Sequence, residues 1–283
     1  MTGYPPFDLH LPDRPDTAMV FSSPHGGCEY PQDFLAASRL DGQMIRSSED
    51  AFVHDLFRGV PAQGAPLIAA RAPRAFVDLN RAADELDPAL IEGLVRMPHN
   101  PRVASGLGVI PRVVANGRPI YSGKITRAEA ELRLVTHWRP YHAALRGLMQ
   151  EARARHGSAI LIDCHSMPHD AIAGRGPAAD VVLGDRFGAA CAPAVMERVE
   201  AAFRAAGLRT SRNAPFAGAY ITQSYGRPAR GQHAIQVEID RALYMDEARI
   251  ERRADFDAFV GLIDGITAEL CAIGREGQAL AAE

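Results

Sequence analysis

The chain has 283 residues, with 47% hydrophobic and 23% charged content, ordinary globular values that exclude disordered, collagen-like and coiled-coil classes. Thirty Arg and one Lys, Lys124, against 34 acidic residues give a formal charge of −3, with no basic block for nucleic acid or an anionic membrane. The apolar runs are too short to span a bilayer, and the N-terminal stretch lacks a basic region followed by an apolar one, so the chain reads as cytoplasmic.

Short β-branched runs alternate with longer helical patterns, which predicts an α/β fold: one domain over residues 1–283, a sheet covered by helices on its faces. In chain order, strands are expected at Ala18–Ser22, Pro66–Ala70 and Ala75–Leu79. A helix follows from Thr126, where Thr126 and Glu129 spell a T-x-x-E capping box, to about His156, with a kink at Pro140. Strands at Ala159–Cys164 and Asp180–Leu183 precede a helix at Ala190–Ala206 that Gly207 closes. Strands at Leu208–Ser211 and Ala234–Asp240 and a helix over about Asp246–Ile273 complete the list. Segments 98–123 and 212–233 are long, rich in Pro, Gly and Arg, and of the kind that carries function.

Three strand ends carry chemistry. The first strand runs into Ser23-Pro24-His25-Gly26-Gly27-Cys28-Glu29, and Asp163-Cys164-His165-Ser166 ends another. Four scattered cysteines, Cys28, Cys164, Cys191 and Cys271, form no C-x-x-C pair, so a metal must be held by His and carboxylate. Two histidines and one carboxylate at the ends of separate strands make the open three-ligand site of a catalytic zinc, which selects His25, Glu29 and His165. Asp163 is either a carboxylate that orients His165 or a buried structural acceptor.

Glu238 interrupts the apolar run Ala234–Asp240. A buried carboxylate there is costly unless paired or functional, so it is the general-base candidate, with a salt bridge to Arg241 as the alternative. Asn80-Arg81 offers an amide and a guanidinium for a scissile carbonyl or a substrate carboxylate, the alternative being an Arg that caps the acidic run 84–87, and Arg74 invites the same two readings. A cysteine hydrolase using Cys28 or Cys164 ranks below these.

Read together, these segments resemble the N-formylglutamate amidohydrolase family. The resemblance runs from Ser22 to about Asp246 and rests on Ser23–Gly27, Asp78–Arg81, Gly106–Arg112, Trp138–His142, Asp163–Pro168, Gly218–Thr222 and Gln236–Arg241. It implies a zinc-carboxypeptidase-like fold: a mixed, mainly parallel sheet with helices on both faces and one zinc per chain at the strand ends. It also implies His25, Glu29 and His165 as zinc ligands, Glu238 as catalytic carboxylate and Arg81 as helper at the oxyanion. Asn80, Arg74, Arg112, Tyr220 and Thr222 are candidates for substrate contacts, with Arg102, Tyr225 and Arg227 in the same loops. The implied substrate is a small acidic N-acyl amino acid, first of all N-formyl-L-glutamate. A related zinc deacylase, a peptidoglycan amidase and a non-catalytic metal or metabolite site remain open alternatives.

Overall fold

Strands buried on both faces must be apolar throughout, and the three central strands obey this rule with a few polar exceptions that matter. The computed structural model describes residues 5–95, 100–173 and 179–276. Seven strands form one sheet in the order β1-β3-β2-β4-β7-β5-β6: β1 Phe7–His10, β2 Met19–Ser23, β3 Leu67–Ala70, β4 Ala159–Met167, β5 Val181–Gly184, β6 Thr210–Arg212 and β7 Gln232–Asp240. The pairs β2–β3, β2–β4, β4–β7 and β5–β6 are parallel, and β5–β7 is antiparallel. The sheet is therefore mixed and mainly parallel.

Within the described residues the chain forms two compact units. The first takes the chain up to Asp8, then Pro24–Ala51 and Ala70–Ala144. It holds three short helices, α1 Gln32–Ala37, α3 Pro101–Ala104 and α4 Arg127–Arg133, and the start of α5 Arg139–His156. The second takes Leu9–Ser23, Phe52–Ala69 and the chain from Leu145, and so carries most of the sheet. Its helices are α2 Val53–Leu56, the rest of α5, α6 Pro193–Ala205, α7 Tyr220–Tyr225 and α8 Phe256–Glu276, with α8 packed against α2, α6 and β2. No helix of the described residues is long and apolar enough to cross a membrane.

The expected strands fall within two residues of β2 to β7, save that β4 runs three residues past the expected end to Met167, and with one exception. Ala75–Leu79 is not a strand: Phe76 and Val77 donate backbone hydrogen bonds to the Pro73 carbonyl at 2.9 and 3.3 Å, curling the segment into a turn. The expected helix from Thr126 is broken by a π turn at Leu134–Trp138, not at Pro140 itself. Pro140 has no N–H to donate four residues back, and the chain widens just ahead of it. Thr126 caps α4 by accepting from the Glu129 amide at 3.1 Å, while the Glu129 carboxylate pairs with Arg133 instead of closing the box. The expected helix from Asp246 starts ten residues later; Met245–Asp246 and Glu251–Arg252 form a two-stranded ribbon, β8 and β9, with Ile250 at φ 56° in its turn. Gly207 does close α6, at φ 85°, with its amide on the Arg204 carbonyl and that of Leu208 on the Phe203 carbonyl. Residues 98 and 99 of the loop expected at 98–123 lie outside the described residues.

Candidate metal and hydrolytic site

In the first unit the segment after β2 bends at Pro24–His25 and is neither helix nor strand through Tyr30. Gly27 lies against the backbone of Arg71 and Ala72 so closely that a Cβ would sit 2.3 Å from the Ala72 oxygen. The Glu29 amide then donates to the Arg71 carbonyl at 3.0 Å, and the half-exposed Glu29 carboxylate faces Arg71 at 3.6 Å. The carboxylate beside His25 is Asp50. The Asp50 amide donates to the His25 carbonyl at 3.1 Å, and Asp50 Oδ2 lies 3.5 Å from His25 Nδ1. The other ring nitrogen, Nε2, lies 2.7 Å from Asp78 Oδ1, and because a carboxylate only accepts, Nε2 carries the proton.

His25, Asp50 and Asp78 are all nearly inaccessible, at 2%, 1% and 2% exposure. Burial pushes the Asp78 carboxyl up, but His25, Arg74 and Arg81 outweigh it and hold the group well below the usual carboxylate range. Two ligands of one tetrahedral zinc, each bonded at about 2.0–2.1 Å, stand roughly 3.3 Å apart. The 3.5 Å between His25 Nδ1 and Asp50 Oδ2 fits that spacing. Asp78 on the far nitrogen is the carboxylate partner that a metal-bound histidine needs to fix its tautomer. These residues thus fit a metal ion.

Asp78 to Arg81 form a turn clamped from three directions. Asp78 Oδ1 accepts from the Asn80 amide at 2.8 Å, and the Asp78 amide donates to the Val109 carbonyl at 2.8 Å. The Trp138 indole donates to the Arg81 carbonyl at 2.9 Å, and His142 Nε2 donates to the Leu79 carbonyl at 2.8 Å. This explains the Trp138–His142 motif: the π turn sets both rings on the chain of the Asn80-Arg81 turn. Trp138→Phe deletes one donor and leaves the Arg81 carbonyl wanting, so stability should fall by about 1–3 kcal/mol in denaturant titration. An unchanged midpoint would show that the indole bond does not hold the turn.

The arginines of this unit divide by partner. Arg81 is buried and donates from Nε to the Leu107 carbonyl at 3.1 Å and from Nη1 to the Asn80 carbonyl at 2.8 Å, leaving Nη2 as its third edge. Arg74 Nε donates to Asp78 Oδ2 at 3.1 Å, and Arg112 Nε to Asp87 Oδ2 at 2.8 Å. Arg102 is exposed on α3.

In the second unit, one face of the sheet collects the polar exceptions. Residues two apart on a strand share a face, and so do register partners on parallel neighbours. Ser22 pairs with Asp163, Asp163 with Gln236 and His165 with Glu238, which puts all five on one face. Ser22 Oγ donates to Asp163 Oδ1 at 3.0 Å, and His165 Nε2 lies 2.9 Å from Asp163 Oδ2. Asp163 therefore holds both His165 and Ser22, joining the two roles left open for it. Gln236 Nε2 donates to Glu238 Oε1 at 2.8 Å, and Arg241 Nε donates to Ser166 Oγ at 3.1 Å. Gly184 of β5 is the partner of Gln236, and a Cβ there would meet Ala217 and Gly218 backbone at 2.7 Å, so the loop leading to α7 crosses this face.

Of the α7 candidates, Thr222 is fully buried and its Oγ1 donates to the Ala219 carbonyl at 2.9 Å, tying the first turn of the helix. Tyr220 is half-buried, Tyr225 is buried and Arg227 is exposed. Cys164 alternates to the opposite face from His165, and burial pushes its thiol well above the usual range, so it is no thiolate nucleophile; Cys28 is exposed.

Known proteins resemble this chain over most of its length. The N-formylglutamate amidohydrolase family model matches residues 17–245. The chain is 33% identical over 267 residues to the N-formylglutamate deformylase of Pseudomonas aeruginosa PAO1, covering 91% of this chain and 94% of that protein. It is 30% identical over 236 residues to the N-formylglutamate deformylase of Pseudomonas putida, covering 81% and 82% of the two chains. The crystal structure of N-formylglutamate amidohydrolase from Ralstonia eutropha JMP134 superposes with a TM-score of 0.91 at 36% identity, over 97% of this chain and 100% of that one.

Proposed function

This chain belongs to the N-formylglutamate amidohydrolase family and is a hydrolase of carbon–nitrogen bonds other than peptide bonds; we propose that it converts N-formyl-L-glutamate to formate and L-glutamate with the help of one zinc ion. The observation that carries the metal part is the His25 ring held between Asp50 and Asp78. We assign His25 and Asp50 as ligands, Asp50 taking the place expected for Glu29, with His165 as the third ligand that the family resemblance implies. In this reading residues 1–283 act as one cytoplasmic catalytic domain in histidine degradation.

A zinc ion bound by these residues supplies a water of lowered pKa and an electrophile for the formyl oxygen. Asp78 and Asp163 keep the imidazoles of His25 and His165 in one tautomer each. Glu238, aimed by Gln236, takes the proton of the attacking water and passes it to the leaving amine. Arg81 presents Nη2 to the oxygen on which negative charge develops, its other two donors being fixed on backbone carbonyls. Asn80, Arg74, Arg112 and Tyr220 remain the proposed contacts of the glutamate moiety. Thr222 shapes that wall by holding the start of α7.

The test is formate release by purified, zinc-loaded protein. N-formyl-L-glutamate is expected to be turned over, with a neutral N-formyl amino acid poorer by about 10- to 100-fold in kcat/KM, since a charge-assisted contact contributes roughly 1.5–3 kcal/mol. No formate from N-formyl-L-glutamate, or faster release of an acetyl or succinyl group, sinks the reading.

A further inference from the structure

A buried ionic cluster stands one peptide bond from Asp50, outside everything assigned above. Glu49 is 3% exposed, in an irregular stretch just after a single 3-10 turn at Met44–Arg46. Arg46 grips it with Nε at 3.1 and 3.2 Å from its two oxygens and Nη2 at 3.1 Å from Oε2. The Tyr30 hydroxyl donates to Oε1 at 2.5 Å, and the Tyr30 ring stacks on Phe34 with 10° between the planes. A turn does not need a carboxylate at this depth, because an apolar side chain would avoid the desolvation penalty altogether. The cluster instead fixes the backbone. The Glu49 amide donates to the Arg46 carbonyl at 2.8 Å, the next amide, that of Asp50, donates to the His25 carbonyl at 3.1 Å, and the Asp50 carboxylate faces His25.

We propose that Tyr30, Arg46 and Glu49 form a positioning cluster that holds Asp50 in ligand register with His25 and thereby sets the affinity of the site for its metal ion. This rests on the reading above that His25 and Asp50 hold a metal. The part of Tyr30, Arg46 and Glu49 is that of positioning residues, acting through the peptide that Glu49 shares with Asp50. Tyr30 lies one residue from Glu29, so the motif around Glu29 contributes to the metal site through its tyrosine rather than its acid.

The experiment measures zinc affinity of the full chain by competition with a chelating dye, and records the visible absorption of the cobalt-substituted protein, for Tyr30→Phe, Glu49→Gln and Asp50→Asn. Partners that orient a ligand typically change affinity by about 10- to 100-fold. Tyr30→Phe and Glu49→Gln are expected to weaken zinc binding within that range and to alter the cobalt spectrum, and Asp50→Asn to weaken binding further. If Asp50→Asn binds zinc like the parent, the ligand reading has failed. If Asp50→Asn loses zinc while Tyr30→Phe and Glu49→Gln keep parental affinity and spectrum, whatever their thermal stability, the positioning proposal is overturned. Should Glu49→Gln not fold, Tyr30→Phe, which removes a single hydroxyl, decides alone.

Discussion

Replacing Glu238 by Gln is expected to leave the bound zinc in place and to lower kcat for N-formyl-L-glutamate by about 10³- to 10⁴-fold, toward the upper end of what general base catalysis contributes. The substitution is nearly isosteric, and a glutamine at 238 still offers an oxygen to the Gln236 amide that donates to Oε1 at 2.8 Å. The β4–β7 register that aligns His165 with Glu238 is a matter of backbone bonds, so the strand itself is untouched. What disappears is the basic oxygen. Zinc content by elemental analysis and single-turnover formate release give the two readouts. Parental turnover in the variant would remove Glu238 from the mechanism, and loss of zinc would make it a ligand rather than a base.

That Glu238 is a buried carboxylate on a strand was legible from the apolar run around it, and β7 is buried from His233 to Asp240. The Asp-x-His pattern likewise placed Asp163 and His165 toward the end of a buried strand, β4. Apolar patterning failed for Ala75–Leu79, where apolar residues of strand type form a turn because Pro73 starts it and Asp78 is hydrogen-bonded sideways to Val109. It offered nothing at Asp50, which lies in an irregular stretch with no periodic pattern around it and whose partner His25 is twenty-five residues away. The one hint in the sequence was the acid pair Glu49-Asp50 directly before the apolar Ala51-Phe52-Val53. At Glu29 the residue types alone carried the reading; in the structure its carboxylate faces Arg71 at 3.6 Å, while Asp50 lies 3.5 Å from His25. Partners, which the sequence does not show, separate four of the arginines: Arg112 donates to Asp87, Arg74 to Asp78 and Arg46 to Glu49, whereas Arg81 donates to the backbone carbonyls of Leu107 and Asn80.

The choice between Glu29 and Asp50 leads to a paired result. Asp50→Asn is expected to weaken zinc binding by at least about 100-fold, more than the loss of a mere orienting partner, and to abolish turnover at ordinary metal concentrations. Asparagine keeps the size of the side chain and the backbone bond from residue 50 to the His25 carbonyl, so loss of metal would report the carboxylate charge and not a collapsed turn. Glu29→Gln removes a charge that is 55% exposed and faces Arg71 at 3.6 Å. Exposed pairs of this kind contribute about 0–1 kcal/mol, so the variant should keep its zinc, its turnover and nearly all of its stability. The two variants answer one question from opposite sides, because a metal site can recruit only a carboxylate that its first histidine can reach. Zinc lost from Glu29→Gln and kept in Asp50→Asn would mean that the segment from His25 to Glu29 refolds around the ion, and that the buried pair of His25 and Asp50 is a structural contact.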